Sequence, residues 1–366
     1  MAGLRNWLIL PALAAAALLA ALVGGASLQQ AEEKGIGFAD LHNSVLRPLF
    51  DGGDFSRLAR PEFPVSLPGI RAAGTRVLFC SLGVPRFSLA HPDTVRLADV
   101  LAFFRHFSAE VPRRYPELAV VGNGRELREA RVAGKTALFL ALEGTHLLRG
   151  DPAVVDSLYA AGVRMIGIAH RFQNAFFEAP PGAGEHAPPL LPALPLGPHT
   201  RLSPAGRALL ERMIEKGMLI DLSHLGEAAF WEVVELNAGR TPLIASHVNA
   251  RALCDTSRNL SDAQLQAIAR SGGLVGVSFH SPLLTRRAPR AEVADVADHI
   301  IYIDNLIGPA HVAVGSDWEG RILPPQGLEK IERIPALTAE LRRRGMKDSL
   351  IGRVMGGNVL RILERW

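Results

Sequence analysis

Six short apolar runs of this chain end on a residue that can bind a metal ion or move a proton. The runs are GIGFADLH, TALFLALE, VRMIGIAH, GMLIDLSH, TPLIASH and HVAVGSD, which end at His42, Glu143, His170, His224, His247 and Asp317. Metal-binding and proton-transfer residues at the carboxyl ends of successive buried strands are typical of a (β/α)8 barrel enzyme. Because histidines and carboxylates occur together at these ends, the pattern also indicates a metal centre.

Eight strand candidates, most of them separated by amphipathic helical segments, predict an α/β fold. Two helices have clear boundaries, since Ser203 and Ser261 are good N-caps and Gly217 and Gly272 follow the helical runs. Repeated helix and strand imply a parallel sheet, and no Gly-rich phosphate loop follows the first strand. We therefore predict a closed TIM-like barrel with strands near 36–42, 76–82, 136–142, 164–170, 217–223, 242–247, 274–279 and 311–316.

Length and composition allow a single barrel over residues 36–366, because the 366-residue chain is 48% hydrophobic and 21% charged. The proline-rich segment 179–199 is predicted to be an insertion over the catalytic face, acting as a lid, a partner surface or a mobile loop. The net charge of +4 comes from scattered arginines without interleaved aromatic residues, so we expect no nucleic-acid partner. Cys80 and Cys254 are too few for a disulfide framework and are predicted to be core residues.

The N-terminal residues 1–30 are predicted to be a signal peptide or a membrane anchor. Arg5 precedes a continuous apolar stretch from Trp7 to Ala26, which is long enough to span a bilayer. Small residues before Ser27 also allow cleavage, so a removed signal and a retained, membrane-associated segment both stay open. In either case we expect the rest of the chain to be exported to the periplasm or another extracytoplasmic space.

The predicted strand ends place the candidate metal ligands at one rim of the barrel. His224 and His247 follow adjacent strands and can reach a common ion, whereas Glu143 can bridge two ions with its two oxygens. His42, after the first strand, would complete the ligands on the opposite side. Distance along the chain does not weaken this prediction, because barrel closure brings all strand ends together.

Ordered motifs between about Phe38 and Leu363 resemble the membrane dipeptidases, the renal dipeptidase-like metallopeptidases. This resemblance implies a metal-dependent hydrolase barrel that cleaves the peptide bond of dipeptides with a metal-activated water. The motifs are ADLHN at 39–43, LEGTH at 142–146, GVRMIGIAH at 162–170, LSPAGR at 202–207, GMLIDLSH at 217–224, PLIASHVNARALCDTSRNLSD at 242–262, HVAVGSDWEG at 311–320 and GGNVLRIL at 356–363.

The resemblance implies two zinc ions bridged by Glu143, with His224 and His247 on the second ion. The first ion is expected on His42 and on an aspartate two residues later, but this chain has Ser44 there. A serine hydroxyl is a poor zinc ligand compared with a carboxylate, so the first site should be weaker. The chain is therefore expected to bind one or two zinc ions. Asp40, on the same strand face as His42, can support that histidine or replace the missing ligand.

Three further positions match the substrate-binding and catalytic residues of the family. The resemblance implies that Arg258 pairs with the free carboxylate of a dipeptide and that His170 faces the scissile carbonyl. Asp317 matches the aspartate that handles protons at the leaving amine, so Glu143, His170 and Asp317 form the predicted catalytic set. His280 stands where the family often has a tyrosine, which predicts a different substrate preference.

Two other functions remain open from the sequence. The same metal-activated water would allow an amidohydrolase that acts on another small amide, such as an N-acyl amino acid or a lactam. Alternatively, the substitution at Ser44 would leave an exported, non-catalytic barrel with a degenerate first metal site. A homodimer is compatible with each of these functions.

Overall fold

Eight parallel strands close into a barrel in the computed structural model, which describes residues 37–83, 95–170, 173–178 and 197–366. A ninth strand, β3, lies beside β4 outside the ring. The ring runs from β1 through β2 and β4 to β9, and the pairing of Asp40 with Val314 closes it. The predicted TIM-like barrel is thus confirmed. The strands are β1 Phe38–Asn43, β2 Thr75–Gly83, β3 Leu118–Val120, β4 Thr136–Glu143, β5 Val163–Gly167, β6 Leu219–Asp221, β7 Leu243–Val248, β8 Leu274–Val277 and β9 Val312–Val314.

Each of the eight predicted strands has a counterpart in the barrel, whereas β3 was not predicted. Its three residues pair with the first half of β4, on the edge where β5 pairs farther along. Three residues are too few to show a strand period, so no pattern marked them. Several predicted strands also extend beyond their observed ends. The strand predicted over 164–170, for example, ends at Gly167.

Helices surround the barrel, and their ends follow the capping residues of the sequence. The Ser203 hydroxyl accepts a hydrogen bond from the Gly206 amide, and Ser261 forms a capping box with Gln264, as predicted for both helix starts. The α-helices are α1 Leu46–Phe50, α2 Leu67–Ala72, α3 Leu97–Arg114, α4 Gly124–Val132, α5 Val154–Ala160, α6 Pro204–Glu215, α7 Glu227–Asn237, α8 Asp262–Arg270, α9 Ser281–Leu284, α10 Val293–Ile307, α11 Ile334–Arg343, α12 Asp348–Gly352 and α13 Asn358–Leu363. Short 3-10 turns cover Phe55–Ala59, His146–Leu148 and Ile331–Arg333, and a π-helical turn covers Arg353–Gly357.

Apolar side chains fill one end of the barrel and leave the other end to polar residues. Phe79 and Phe139 stack inside the barrel with their ring centroids 5.1 Å apart. Below them, the C-terminal segment closes the rim from which the strands start. Arg361 donates to the carbonyl of Ala310 before β9, and Trp366 donates to the carbonyl of Gly217 before β6. Because this rim is covered, the accessible mouth lies at the carboxyl ends of the strands.

Residues 37–366 form one compact unit, and both cysteines in it are free and buried. Cys80 and Cys254 are therefore core residues, as predicted. Among the helices of the described residues, none is both long and apolar enough to cross a bilayer. The predicted segment Trp7–Ala26 and positions 179–196 of the proline-rich insertion lie outside the described residues.

Candidate metal and active site

Three predicted ligands converge on one point at the barrel mouth. Glu143 Oε1 lies 3.1 Å from His224 Nε2 and 3.3 Å from His247 Nε2, and these two nitrogens are 3.0 Å apart. Ligand atoms that share one tetrahedral zinc ion are separated by about 3.3 Å, given zinc–nitrogen bonds of about 2.0–2.1 Å. The spacing and the chemistry of this Glu143, His224 and His247 group, called the triad below, therefore fit a zinc ion.

His42 lies beside the triad and has an open nitrogen. Its Nε2 is 3.8 Å from Glu143 Oε1 and 3.9 Å from Asp317 Oδ1, and it has no hydrogen-bond partner among the described residues. The ring is fully buried and stacks on His247 with centroids 3.8 Å apart. A buried nitrogen left open beside a carboxylate suits a second cation. However, His42, Glu143 and Asp317 do not converge as a metal-binding group in the described part of the chain.

Asp40 braces the barrel beneath His42 and is not placed as a metal ligand. One carboxylate oxygen accepts the amide hydrogens of His42 at 3.2 Å and of Ser316 at 2.8 Å, and the other accepts the Ser316 hydroxyl at 2.7 Å. Burial raises the pKa of Asp40 to about 7, although these hydrogen bonds oppose the rise. Of its two predicted roles, the structure supports the bracing one. Ser44 is buried at the same rim, where its amide donates to the carbonyl of Trp318 at 2.8 Å.

The electrostatics of the site favour an ionised carboxylate among neutral imidazoles. Burial lowers the pKa of His42 to about 3. Burial and the nearby Arg258 guanidinium also hold the pKa of His224 well below its usual range. Burial, the largest single influence, would raise the pKa of Glu143, but the imidazoles of His170 and His42 and the contacts with His224 and His247 together outweigh it and hold this pKa well below its usual range. At neutral pH these are the protonation states in which a carboxylate and histidines bind a divalent metal.

The predicted substrate-binding residues surround the triad. His170 Nε2 lies 3.7 Å from Glu143 Oε2, and Arg258 donates to the carbonyl of His247 at 3.3 Å. His170, Arg258 and Asp317 all line one cavity with a volume of about 970 Å³, together with His224 and His247. The structure therefore brings every predicted site residue to the barrel mouth. His280 also lines this cavity, whereas His146 is buried in the loop after β4.

The six strand-end residues are held in two different ways. His42, Glu143 and His247 lie within β1, β4 and β7. By contrast, His170, His224 and Asp317 lie three residues beyond the last residues of β5, β6 and β9. His224 and Asp317 adopt left-handed backbone conformations, with φ values of 68° and 61°. Non-glycine residues in this region carry strain that persists where the surrounding structure holds them in place, as at functional sites.

Two glycines make room for the site. A Cβ atom on Gly83 would lie 3.0 Å from Glu143 Oε2, and one on Gly144 would lie 2.8 Å from the Cβ of His170. Gly144 also has a φ of 84°, which only glycine adopts without strain. A larger residue at either position would displace the carboxylate or the imidazole beside it.

The loop that carries Arg258 is closed at its base and braced from below. The amide of Leu260 donates to the carbonyl of Asn249, and the amide of Arg251 donates to the carbonyl of Leu260. Asn259 donates from its side chain to the carbonyls of Cys254 and Leu283, both at 2.8 Å. These bonds hold the Arg258 backbone in place, and the bond from the guanidinium to the His247 carbonyl orients the side chain beside the triad.

The family model described as membrane dipeptidase, peptidase family M19, matches residues 37–366. The chain belongs to the membrane dipeptidase family. Two curated relatives are the dipeptidase aclJ of Aspergillus oryzae, 39% identical over 63% of this chain, and dipeptidase 3 of Rattus norvegicus, 32% identical over 69%. The matches span 51% and 49% of those proteins, or about half of their length.

Solved structures of two metallopeptidases share this architecture along nearly their whole length. The dipeptidase AC, a metallopeptidase of family M19, is 25% identical, with a TM-score of 0.77 over 90% of this chain and 98% of that chain. A metallopeptidase from Rhodobacter sphaeroides, also 25% identical, has a TM-score of 0.75 over 90% of this chain and 99% of its own. That protein was solved with a phosphinate mimic of the dipeptide L-Ala-D-Ala.

The sequence analysis did not predict two buried residues of the site. Asp221, at the end of β6, and Ser246, within β7, are both buried below the triad. The signal that marks them is a polar residue inside an apolar strand, LID in β6 and LIASHV in β7. Burying such a group is costly unless it is hydrogen-bonded, so its presence indicates a bonded partner.

Proposed function

We propose that this protein is a zinc-dependent dipeptidase. The observation that carries the proposal is the triad, two of whose members, His224 and His247, line the same cavity as Arg258, His170 and Asp317. Together these residues offer a metal-binding group, a cation for the free carboxylate of a substrate and two proton-transfer groups. The family supports the same activity, since its relatives include proteins named as dipeptidases.

Glu143, His224 and His247 are the residues that would hold the ion. A bound zinc ion supplies an activated water and polarises the carbonyl of the scissile bond. Of the two groups of described residues in which a carboxylate and two imidazoles offer their ligand atoms to one point, the triad is the one with two members, His224 and His247, on the cavity wall. His42 would hold a second ion only weakly, because Ser44 offers no carboxylate. We therefore propose one tightly bound zinc ion.

The remaining site residues orient the substrate and move protons. Arg258 pairs with the C-terminal carboxylate of the dipeptide, a task that suits its planar guanidinium. His170 lies on the side of the cavity next to Glu143 Oε2, where it donates to the carbonyl oxygen as negative charge develops there. Asp317 lies on the His42 side, where it takes a proton from the attacking water and passes it to the leaving amine. Arg258 lies beside the triad, so a longer peptide would place a peptide group where the free carboxylate binds. The site therefore favours dipeptides over longer chains.

Metal analysis combined with a substrate panel tests the proposal. The purified protein is expected to contain about one zinc ion per chain, to lose dipeptide hydrolysis on chelation and to regain it when zinc is added. The panel includes L-Ala-L-Ala, L-Ala-D-Ala, a tripeptide, an N-acetyl amino acid and a lactam. Faster turnover of the acylated amino acid or the lactam than of the dipeptides would show that the protein is an amidohydrolase of another small amide. A zinc-loaded protein with no turnover of any compound would indicate a non-catalytic barrel.

Replacing Arg258 by glutamine is expected to raise KM for dipeptides by roughly 10- to 100-fold, with a smaller change in kcat. A charge-assisted contact contributes about 1.5–3 kcal/mol, and the substrate makes it before and during the reaction. Steady-state kinetics on L-Ala-L-Ala measures both constants. Arg286→Gln is the matched control, since Arg286 is exposed and donates to the carbonyl of Asp255 outside the triad. An unchanged KM in Arg258→Gln would show that the carboxylate binds elsewhere.

A further inference from the structure

A serine hydroxyl lies at the centre of a buried cluster beneath the triad. Ser246 Oγ is 2.5 Å from Asp221 Oδ2, 2.8 Å from His247 Nδ1 and 3.2 Å from His42 Nδ1. All four residues are at most 2% exposed. The ligand atoms of His42, Asp221 and His247 lie close enough together to hold an ion. The hydroxyl, however, is within hydrogen-bonding distance of all three, so it takes the place that an ion would need.

The number of protons in this cluster determines the direction of each hydrogen bond. Asp221 Oδ1 accepts the amide hydrogens of Ser246 at 2.9 Å and Ser223 at 3.0 Å, which fixes the carboxylate in one orientation. A hydroxyl has one hydrogen and two lone pairs. Since the Ser246 hydrogen is given to Asp221 Oδ2, both lone pairs are left for the imidazoles, which lie closer to Ser246 Oγ than the Ser223 hydroxyl does at 3.4 Å. The Nδ1 atoms of His42 and His247 must then both be donors.

We propose, building on the dipeptidase function above, that Ser246 and Asp221 hold His42 and His247 in one tautomer and so prepare both imidazoles for metal binding. With the proton on Nδ1, each ring keeps a lone pair on Nε2. These Nε2 atoms face Glu143 Oε1 at 3.3 Å for His247 and 3.8 Å for His42. Ser246 is thus a positioning residue that acts through the two histidines.

The same hydroxyl connects the two ion positions of the family. His42 is on β1 and His247 is on β7, and β8 and β9 separate these strands in the barrel. Ser81 Oγ also lies near His42 Nδ1, but at 3.4 Å it is farther away than Ser246 Oγ. Because both imidazoles share one acceptor, a change at Ser246 reaches both positions at once, and it does so whether one ion or two are bound.

The tautomers are measured directly in the metal-free protein. Long-range ¹H–¹⁵N correlation spectra of the full chain labelled with ¹⁵N-histidine distinguish Nδ1-protonated from Nε2-protonated rings, and the spectra of His42→Gln and His247→Gln assign the two signals. Both rings are expected to be protonated on Nδ1. An Nε2-protonated ring at either position would overturn the proposal. Since no metal is needed, this result is independent of whether the chain is a zinc dipeptidase.

Asp221→Asn gives the sharpest test because it reverses one hydrogen bond. The two backbone donors keep the amide oxygen at the Oδ1 position, so the amide nitrogen would point at Ser246 Oγ and donate to it. The hydroxyl hydrogen then turns to a nearer acceptor than Ser223 Oγ at 3.4 Å, namely an imidazole Nδ1 at 2.8 or 3.2 Å, and forces the proton of that ring onto Nε2. We expect one of the two signals to change to the Nε2-protonated pattern and zinc affinity to fall by about 10- to 100-fold.

Ser246→Ala and Ser223→Ala form a matched pair. Both remove a buried hydroxyl, but Ser223 Oγ accepts from the His247 amide at 3.1 Å and lies 3.4 Å from Ser246 Oγ, so it contacts no imidazole nitrogen directly. In Ser246→Ala we expect His42 and His247 no longer to be both protonated on Nδ1, and zinc affinity to fall by about 10- to 100-fold. In Ser223→Ala both rings should stay protonated on Nδ1. If Ser246→Ala and Asp221→Asn both keep Nδ1-protonated rings, the proposal is wrong. If Ser246→Ala does not fold, the spectra of the wild type and of Asp221→Asn still test the tautomers of His42 and His247.

Discussion

Replacing Glu143 by glutamine is expected to abolish tight zinc binding and, with it, dipeptide hydrolysis. The carboxylate supplies the formal negative charge of the triad, and both imidazole nitrogens lie within 3.3 Å of its Oε1. A neutral amide oxygen is a weaker ligand, and the amide NH2 group would compete by donating to a histidine nitrogen. We expect zinc affinity to fall by more than the roughly 10- to 100-fold loss that follows removal of an outer-shell partner.

Isothermal titration with zinc and a dipeptidase assay at saturating zinc measure the two losses in Glu143→Gln separately. Glu227→Gln is the matched control, because Glu227 lines the same cavity but is half exposed and lies 3.8 Å from Arg251. This control should bind zinc about as tightly as the wild type. Full activity in Glu143→Gln with wild-type metal content would exclude the triad as the metal site.

Replacing Ser44 by aspartate is expected to raise the zinc content from about one ion per chain to about two and to increase the rate of dipeptide hydrolysis. The new carboxylate stands at the position where the family resemblance implies an aspartate ligand that this chain lacks. His42 Nε2 is already open beside Glu143. In the metal-free protein the same carboxylate would be buried at the position of Ser44, and burying a charge destabilises the fold. Zinc should therefore raise the thermal midpoint more in Ser44→Asp than in the wild type.

Ser44→Asn separates the effect of charge from that of size. Asparagine has nearly the same shape as aspartate but adds no charge, so its zinc content should stay near one. Metal analysis after dialysis and a thermal melt with and without zinc give the result. If Ser44→Asp also stays near one ion, the position is not equivalent to the family ligand. A wild-type content near two would instead show that His42 already holds an ion without a carboxylate at position 44.

Much of the site could be predicted because the required signals are local. An apolar run followed by a ligating residue marks a buried strand and the rim at which it ends. This pattern identified all six strand-end residues, and capping residues such as Ser203 and Ser261 marked the helix starts. It failed for β3, whose three residues are too short to show a period. It also extended the fourth predicted strand to His170, although that residue lies in a loop beyond β5.

The amino-acid sequence by itself determined the barrel, the rim that carries the chemistry and the residues at each strand end, because these follow from short periods and from motif spacing. Only the tertiary structure decided which atoms meet. Asp40 receives its bonds from Ser316, 276 residues away, and Ser246 reaches His42 across 204 residues. Such contacts depend on barrel closure and strand register, which no local pattern encodes. They show that Asp40 braces β1 against β9, that the triad is complete and that His42 is left with an open nitrogen.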